Sequence, residues 1–193
     1  LEDLPSGARV GTASVRRRAL LLHHRPDLDI GLLRGNVNTR IAALQDGQFD
    51  AIILAVAGLR RLSLDVDYAP LDLAVMPPSA GQGALAIQTR DRDDPRSLAV
   101  MAASADLGCA KTATEVTAER ALLGRLDGSC HTPIAASATC DENGRLHLDG
   151  MILSEDGRQA FRDRIDGFGS DATQLGEALA DQLLGAAGGR HFL

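Results

Sequence analysis

Residues 51–58 read AIILAVAG, apolar at successive rather than alternate positions. A run of this kind is expected of a central parallel strand covered on both faces, and such a sheet needs helices above and below it. The flanking sequence supplies the units. Ala8 to Ala13 reads as a short strand, Ser14 to His24 as a helix, Leu28 to Leu33 as a strand and Val37 to Leu44 as a helix. Asp50 to Ala57 is then the third strand, ended by Gly58 before a short helix around Leu59 to Leu62. The pattern is βαβαβ, which implies a parallel α/β sheet.

Pro77, Pro78, Gly81 and Gly83 punctuate a connector, after which Ala84 to Gln88 reads as one strand and Arg96 to Ala103 as a helix. From residue 112 the pattern changes. Thr112 and Glu115 have capping-box spacing at the head of a helix whose apolar positions include Val116, Leu122, Leu123 and Leu126, with Gly128 as its terminator. Pro133 to Thr139, Leu146 to Leu153 and Gln159 to Ile165 read as strands, joined by turns at Asn143-Gly144 and Asp156-Gly157. Ala172 to Leu184 is an amphipathic helix able to cover one face of that antiparallel sheet. The expected organisation is an α/β unit over residues 1–76, a connector with a strand and helix over 77–106, and an α+β unit over 107–193.

The chain's net charge of −6 argues against nucleic acid as a partner, and no run nears the roughly 18 apolar residues of a membrane span. Charge is unevenly placed, however. Residues 9–61 hold nine arginines against four aspartates, and 19 of the 20 basic residues of the whole chain are arginine. Arg16 and Arg17 fall in the first turn after a strand, Arg34 directly follows the next strand, Arg40 lies one turn into a helix, and Arg61 lies just past the third strand. In a parallel sheet these positions gather at the carboxyl ends of the strands, where helix N-termini add free N–H groups. Two readings stand: solvated arginines at helix ends, or a cleft for a multiply charged anion. No phosphate loop or dinucleotide glycine fingerprint is present.

Three cysteines, Cys109, Cys130 and Cys140, are an odd number in a chain too large to need stapling, which favours a reducing, cytoplasmic compartment. Cys130 sits in Gly-Ser-Cys-His-Thr-Pro between a helix and a strand, so it is either incidental or a reactive loop thiol beside His131. No Cys/His spacing suggests a metal. His23 and His24 read as surface residues.

Five segments, GTASVRRR, LLRGNVNTR, DAIILAVAGLRRL, PPSAGQGALAI and VTAERALLGRLDGSCHTPIAA, resemble in order the motifs of the porphobilinogen deaminase (hydroxymethylbilane synthase) family over residues 8–136. The last 55 residues fit that family's third domain in pattern only. The resemblance implies an α/β lobe like those of periplasmic binding proteins, followed by a small antiparallel three-stranded sheet with helices. It implies tetrapyrrole biosynthesis: four porphobilinogens joined head to tail with loss of ammonia, on a dipyrromethane primer held through a thioether to the cysteine matching Cys130. Thr12, Ser14, Arg16, Arg17 and Arg40 would hold the primer. Arg34, Arg61 and Gln82 would face the substrate and growing polypyrrole chain, Arg34 bracing a loop and Gln82 acting as a hinge.

The resemblance implies that the family's catalytic aspartate belongs to a first domain mostly absent here, of which only a returning strand and helix at about residues 83–103 would remain, so its position is unknown in this sequence. The opening at Leu1 suggests a segment of something longer, expected to be inactive alone, with residues 83–103 exposed, and monomeric at full length. The chain departs from the family at Arg18, an additional arginine, at Ala13, where a serine is common, and at Glu115, where an arginine is often found. The alternative is a non-catalytic α/β module for organic anions, which accounts for the arginines but not for Cys130. A nucleotide-binding domain ranks far below both.

Overall fold

The computed structural model describes residues 1–90, 94–129 and 131–192. Its first half contains β1 (Arg9–Gly11), α1 (Val15–His24), β2 (Asp29–Gly31), α2 (Val37–Gln45), β3 (Ala51–Ile52) and α3 (Val56–Arg61). All strand pairs in this half are parallel, in the order β2-β1-β3. Val10 is fully buried at the centre, packed with Ala8, Leu21 and Leu28.

The AIILAVAG run behaves differently from the expectation. Only Ala51 and Ile52 pair, β3 lies at the edge beside β1, and the run's later residues already belong to α3. Ala51 to Leu54 are half-buried rather than buried on both faces. The central position falls to β1, whose Arg9 N–H is taken by the Asp50 carboxylate at 2.7 Å. The strand expected at Ala84 to Gln88 does not form; these residues are irregular, and Leu85 is 91% exposed. A strand needs a partner to satisfy its amide groups, and none of the described residues pairs with this one.

Helix α4 (Pro95–Ala105) follows, capped by Asp94, which accepts from the Arg96 and Ser97 amides. It buries no residue, as the exposure expected of 83–103 requires. The second half is better packed. Helix α5 (Ala110–Arg125) and α6 (Ala172–Ala186) cover one face of the antiparallel sheet β4 (Ile134–Cys140), β5 (Arg145–Leu153) and β6 (Ala160–Phe168). Leu122, Leu146, Leu148, Ile152, Leu179 and Leu183 form its centre, each almost or completely buried, contributing about 2 kcal/mol apiece.

The Thr112–Glu115 capping box is not formed. Cys109 is the N-cap, the helix starts at Ala110, and the Glu115 carboxylate instead accepts from the Cys140 amide at 2.8 Å. At the other end, Asp127 rather than Gly128 takes the left-handed position (φ 57°). Asp127 N donates to Gly124 O and Gly128 N to Leu123 O, a Schellman closure. Gly128 leaves room for neighbouring side chains, since a Cβ there would press on the tips of Ile134 and Leu123.

The two halves meet through α1. Ala19 and Leu20 pack on Ala135, Met151 and Leu153, and the β5–β6 turn seats Gly157 so tightly on α1 that a Cβ would lie 2.6 Å from the His23 amide.

Candidate functional site

The chain reverses at the carboxyl end of β1 through Thr12-Ala13-Ser14 and enters α1. Ser14 is the N-cap, its Oγ accepting from the Arg17 amide at 3.3 Å, and Thr12 Oγ1 accepts from the Ser14 amide at 3.2 Å. Each hydroxyl thus spends an acceptor on its own turn and keeps its proton to donate. The cap turns Arg16 and Arg17 back toward the sheet edge. Arg16 is buried; its guanidinium donates to Pro77 O and, at 3.1 Å, to Gln82 Oε1. Arg17 donates to Ile53 O at 3.0 Å, and Arg40 to Gly35 O at 2.9 Å.

All four acceptors are neutral oxygens. Among the described residues no carboxylate forms an ion pair with Arg16, Arg17 or Arg40. Burial and, secondarily, the neighbouring Arg17 charge push the Arg16 pKa down to about 10. Burial and then Arg40 lower that of Arg17. The three guanidiniums therefore form one mutually repelling group whose hydrogen bonds are partly met and whose charge is not. A cavity of about 680 Å³ lies beside Arg16 and Arg17, its mainly apolar wall including Ile41, Ile53, Val56 and Tyr68. Gln82 and the aspartates Asp50, Asp65 and Asp67 also line it, and Arg40, Thr12 and Ser14 form no part of that wall.

The structure thus brings Thr12, Ser14, Arg16, Arg17, Arg40 and Gln82 together. Gln82 belongs to the connector: its Oε1 also accepts from Ser79 N and Oγ at 3.2 and 3.1 Å, so it braces Arg16 from the side. Arg34 and Arg61 stand apart. Both are exposed; Arg34 lines a separate depression with Arg9, Thr39 and Phe49, and neither Arg34 nor Arg61 is among the charges that act on Arg16 or Arg17, as Arg40 is. Cys130 lies outside the described residues. Of its neighbours, His131 is exposed, and its amide donates to Ser129 Oγ at 3.1 Å. Among the described residues no cluster of three or more metal-ligating side chains occurs, and no helix is long and apolar enough to cross a membrane.

Sequence reasoning missed Glu119. It is buried, accepts from Ala138 N at 2.8 Å and Gly81 N at 2.6 Å, and ties the connector to β4. A signal existed. Glu115 and Glu119 are four apart on a helix, a rise of about 6 Å, which nearly matches the roughly 6.8 Å between alternate residues of a strand. Two acids so spaced on the buried side of α5 suit the free N–H groups of an edge strand, here Cys140 and Ala138.

Fold and site together define a class: an α/β lobe with an uncompensated arginine group at its strand ends, fastened to an α+β unit. Comparison with known proteins narrows it. The family model described as porphobilinogen deaminase, dipyromethane cofactor binding domain, matches residues 1–97, and that described as porphobilinogen deaminase, C-terminal domain, matches residues 113–185. Porphobilinogen deaminases of Trichlorobacter lovleyi and Pelobacter propionicus are each 49% identical, over 192 and 191 residues. That of Brevibacillus brevis is 43% identical over 192 residues. These matches cover 98–99% of this chain and 60% of each relative, so the chain spans about three-fifths of the length of the curated relatives it matches. The chain belongs to the porphobilinogen deaminase family.

Proposed function

We propose that this chain supplies the primer-holding part of a hydroxymethylbilane synthase, a transferase that joins four porphobilinogens head to tail and releases ammonia at each addition. The observation that carries the reading is the group Arg16, Arg17 and Arg40, buried or half-buried, mutually repelling and without a carboxylate partner among the described residues. A ligand with several carboxylates neutralises such a group, and charge-assisted, bidentate contacts to guanidinium are strong. A dipyrromethane bearing acetates and propionates has that chemistry, and the adjoining apolar wall suits pyrrole rings.

When bound, the dipyrromethane supplies the free pyrrole carbon to which the first porphobilinogen is added. The residues of this chain do the rest of the holding. Arg16, Arg17 and Arg40 bind carboxylates, Thr12 and Ser14 donate their hydroxyl protons to the ligand, and Cys130 forms the thioether anchor. Arg34 and Arg61, exposed and apart from that group, meet incoming substrate and the growing chain. A thioether to a pyrrole methylene would keep the primer through successive additions, which hydrogen bonds alone do not guarantee. The family resemblance supports a monomer at full length, the acidic balance supports a protein that does not bind nucleic acid, and cysteine usage supports a cytoplasmic compartment.

Intact mass tests this. The protein, extended by any residues preceding Leu1 in its reading frame, is incubated with porphobilinogen. A two-pyrrole increment that Cys130→Ala abolishes is the expected result. Anion binding that persists in Cys130→Ala, with no covalent increment in either form, would indicate a non-catalytic anion-binding module instead.

A further inference from the structure

Strand β4 is an edge of its sheet, paired only with β5, and its outward N–H groups fall at alternate residues. Three of them are taken in succession: Ala136 by Pro78 O at 3.0 Å, Ala138 by Glu119 Oε1 and Cys140 by Glu115 Oε1, both at 2.8 Å. Two of these acceptors involve the connector. Pro78 is part of it, and the second oxygen of Glu119 reaches across to the Gly81 amide at 2.6 Å. Gly81 adopts φ +71°, and the next residue, Gln82, holds Arg16. The other acceptor of Arg16, Pro77 O, lies on the same short connector. Both hydrogen bonds that orient the buried guanidinium therefore depend on where residues 77–82 sit.

We propose that Glu119 is a positioning residue for the anion site: by clamping the Gly81 amide against the edge of β4 it sets Gln82 and, through the connector, the guanidinium of Arg16. Its effect on ligand binding rests on the reading of the arginine group given above. Glu119 itself contacts none of the arginines. A carboxylate is the side chain this clamp requires, since it offers two acceptors to two N–H donors. Glutamine offers one acceptor and sets an NH₂ against the other donor; aspartate is one methylene short of spanning both. Burial pushes the Glu119 carboxyl above its ordinary range, with the two amides opposing that rise, and protonation weakens the clamp in the same way as the Gln substitution.

Two readouts on the full chain separate the clamp from the anion reading. The first needs no ligand: exchange of the Arg16 guanidinium protons, followed by ¹⁵N NMR. Glu119→Gln is expected to speed it at least tenfold, and Gln82→Ala to do the same. The second is calorimetric titration with free dipyrromethane tetra-acid. Each variant is expected to raise Kd about tenfold, and the double variant no further, because both act on one connection. Unchanged Arg16 exchange in Glu119→Gln, or effects that multiply in the double variant, would overturn the clamp. Should Glu119→Gln fail to fold, Gly81→Ala replaces it. That Cβ meets nothing within 4 Å but strains the positive φ, so Arg16 exchange is again expected to quicken, and its constancy overturns the proposal. Failure of the unaltered chain to bind the tetra-acid overturns the arginine-group reading and, with it, the functional part of this proposal; the exchange comparison still decides whether the clamp exists.

Discussion

On the outer face of the antiparallel sheet, Arg162 and Arg164 stand 2.9 and 3.1 Å from the carboxylates of Asp149 and Asp166, whereas among the described residues Arg16, Arg17 and Arg40 at the end of the parallel sheet reach only neutral oxygens. Both groups are hydrogen-bonded, so contact alone does not distinguish them. Charge balance does. The first group is solvated, internally neutralised and worth about 0–1 kcal/mol per pair. The second is desolvated and repels itself, which lowers the pKa of Arg16 and Arg17. An arginine satisfied by carbonyls still lacks a counter-charge, and that deficit separates this group from the paired arginines where contact alone does not.

The largest effect should come from deleting a member of the unbalanced group. Arg16→Met is expected to weaken dipyrromethane binding about 100-fold, near 3 kcal/mol, as measured by calorimetry, because it leaves carboxylates without their partner. Almost as large is the converse: dipyrromethane at 100 times its Kd should stabilise the protein by about 2.7 kcal/mol in thermal melts, and added salt should erode that gain.

The pH dependence sharpens the contrast. Arg16 has its pKa pushed down to about 10 in the folded state, below the ordinary guanidinium range, so ligand-free folding carries a cost fully present below about pH 10 and relieved as pH rises from there toward the ordinary range. Stability assigned to Arg16 thus increases across that window, while affinity for the anion falls as pH climbs through 10. Arg16→Met should lose both slopes, which matched pH titrations of the two proteins would reveal. The smallest effect belongs to the balanced group. Arg162→Met, which gives up Asp149 and the Ala74 carbonyl, should cost about 0.5–1 kcal/mol in denaturant unfolding and leave anion affinity unchanged.

Several features governed by a few neighbouring residues were legible in the sequence, the Thr112–Glu115 capping box not among them. Ser14 before α1, and Gly144 and Gly157 in the hairpin turns at φ +75° and +71°, follow from local capping and turn chemistry. The convergence of strand-to-helix junctions on one end of a parallel sheet, which the sequence suggested for Arg16, Arg17, Arg34, Arg40 and Arg61, was legible for Arg16, Arg17 and Arg40 but not for Arg34 and Arg61, which stand apart. Features that depend on a distant partner were not. Apolar content could not say whether β3 lay at the centre or the edge, because pairing with β1 decides that. Residues 84–88 have strand-like composition but no strand to join among those described. Glu119 looked like any helical acid until β4 and the connector came to it from 19 and 38 residues away.

The most direct test of the central claim is a guanidinium-resolved ¹⁵N NMR titration of the protein with dipyrromethane tetra-acid. The charge-deficit account predicts saturable shifts confined to Arg16, Arg17 and Arg40, with Arg125, Arg162 and Arg164 unmoved. Shifts spread equally over both groups, or confined to the paired arginines, would contradict it.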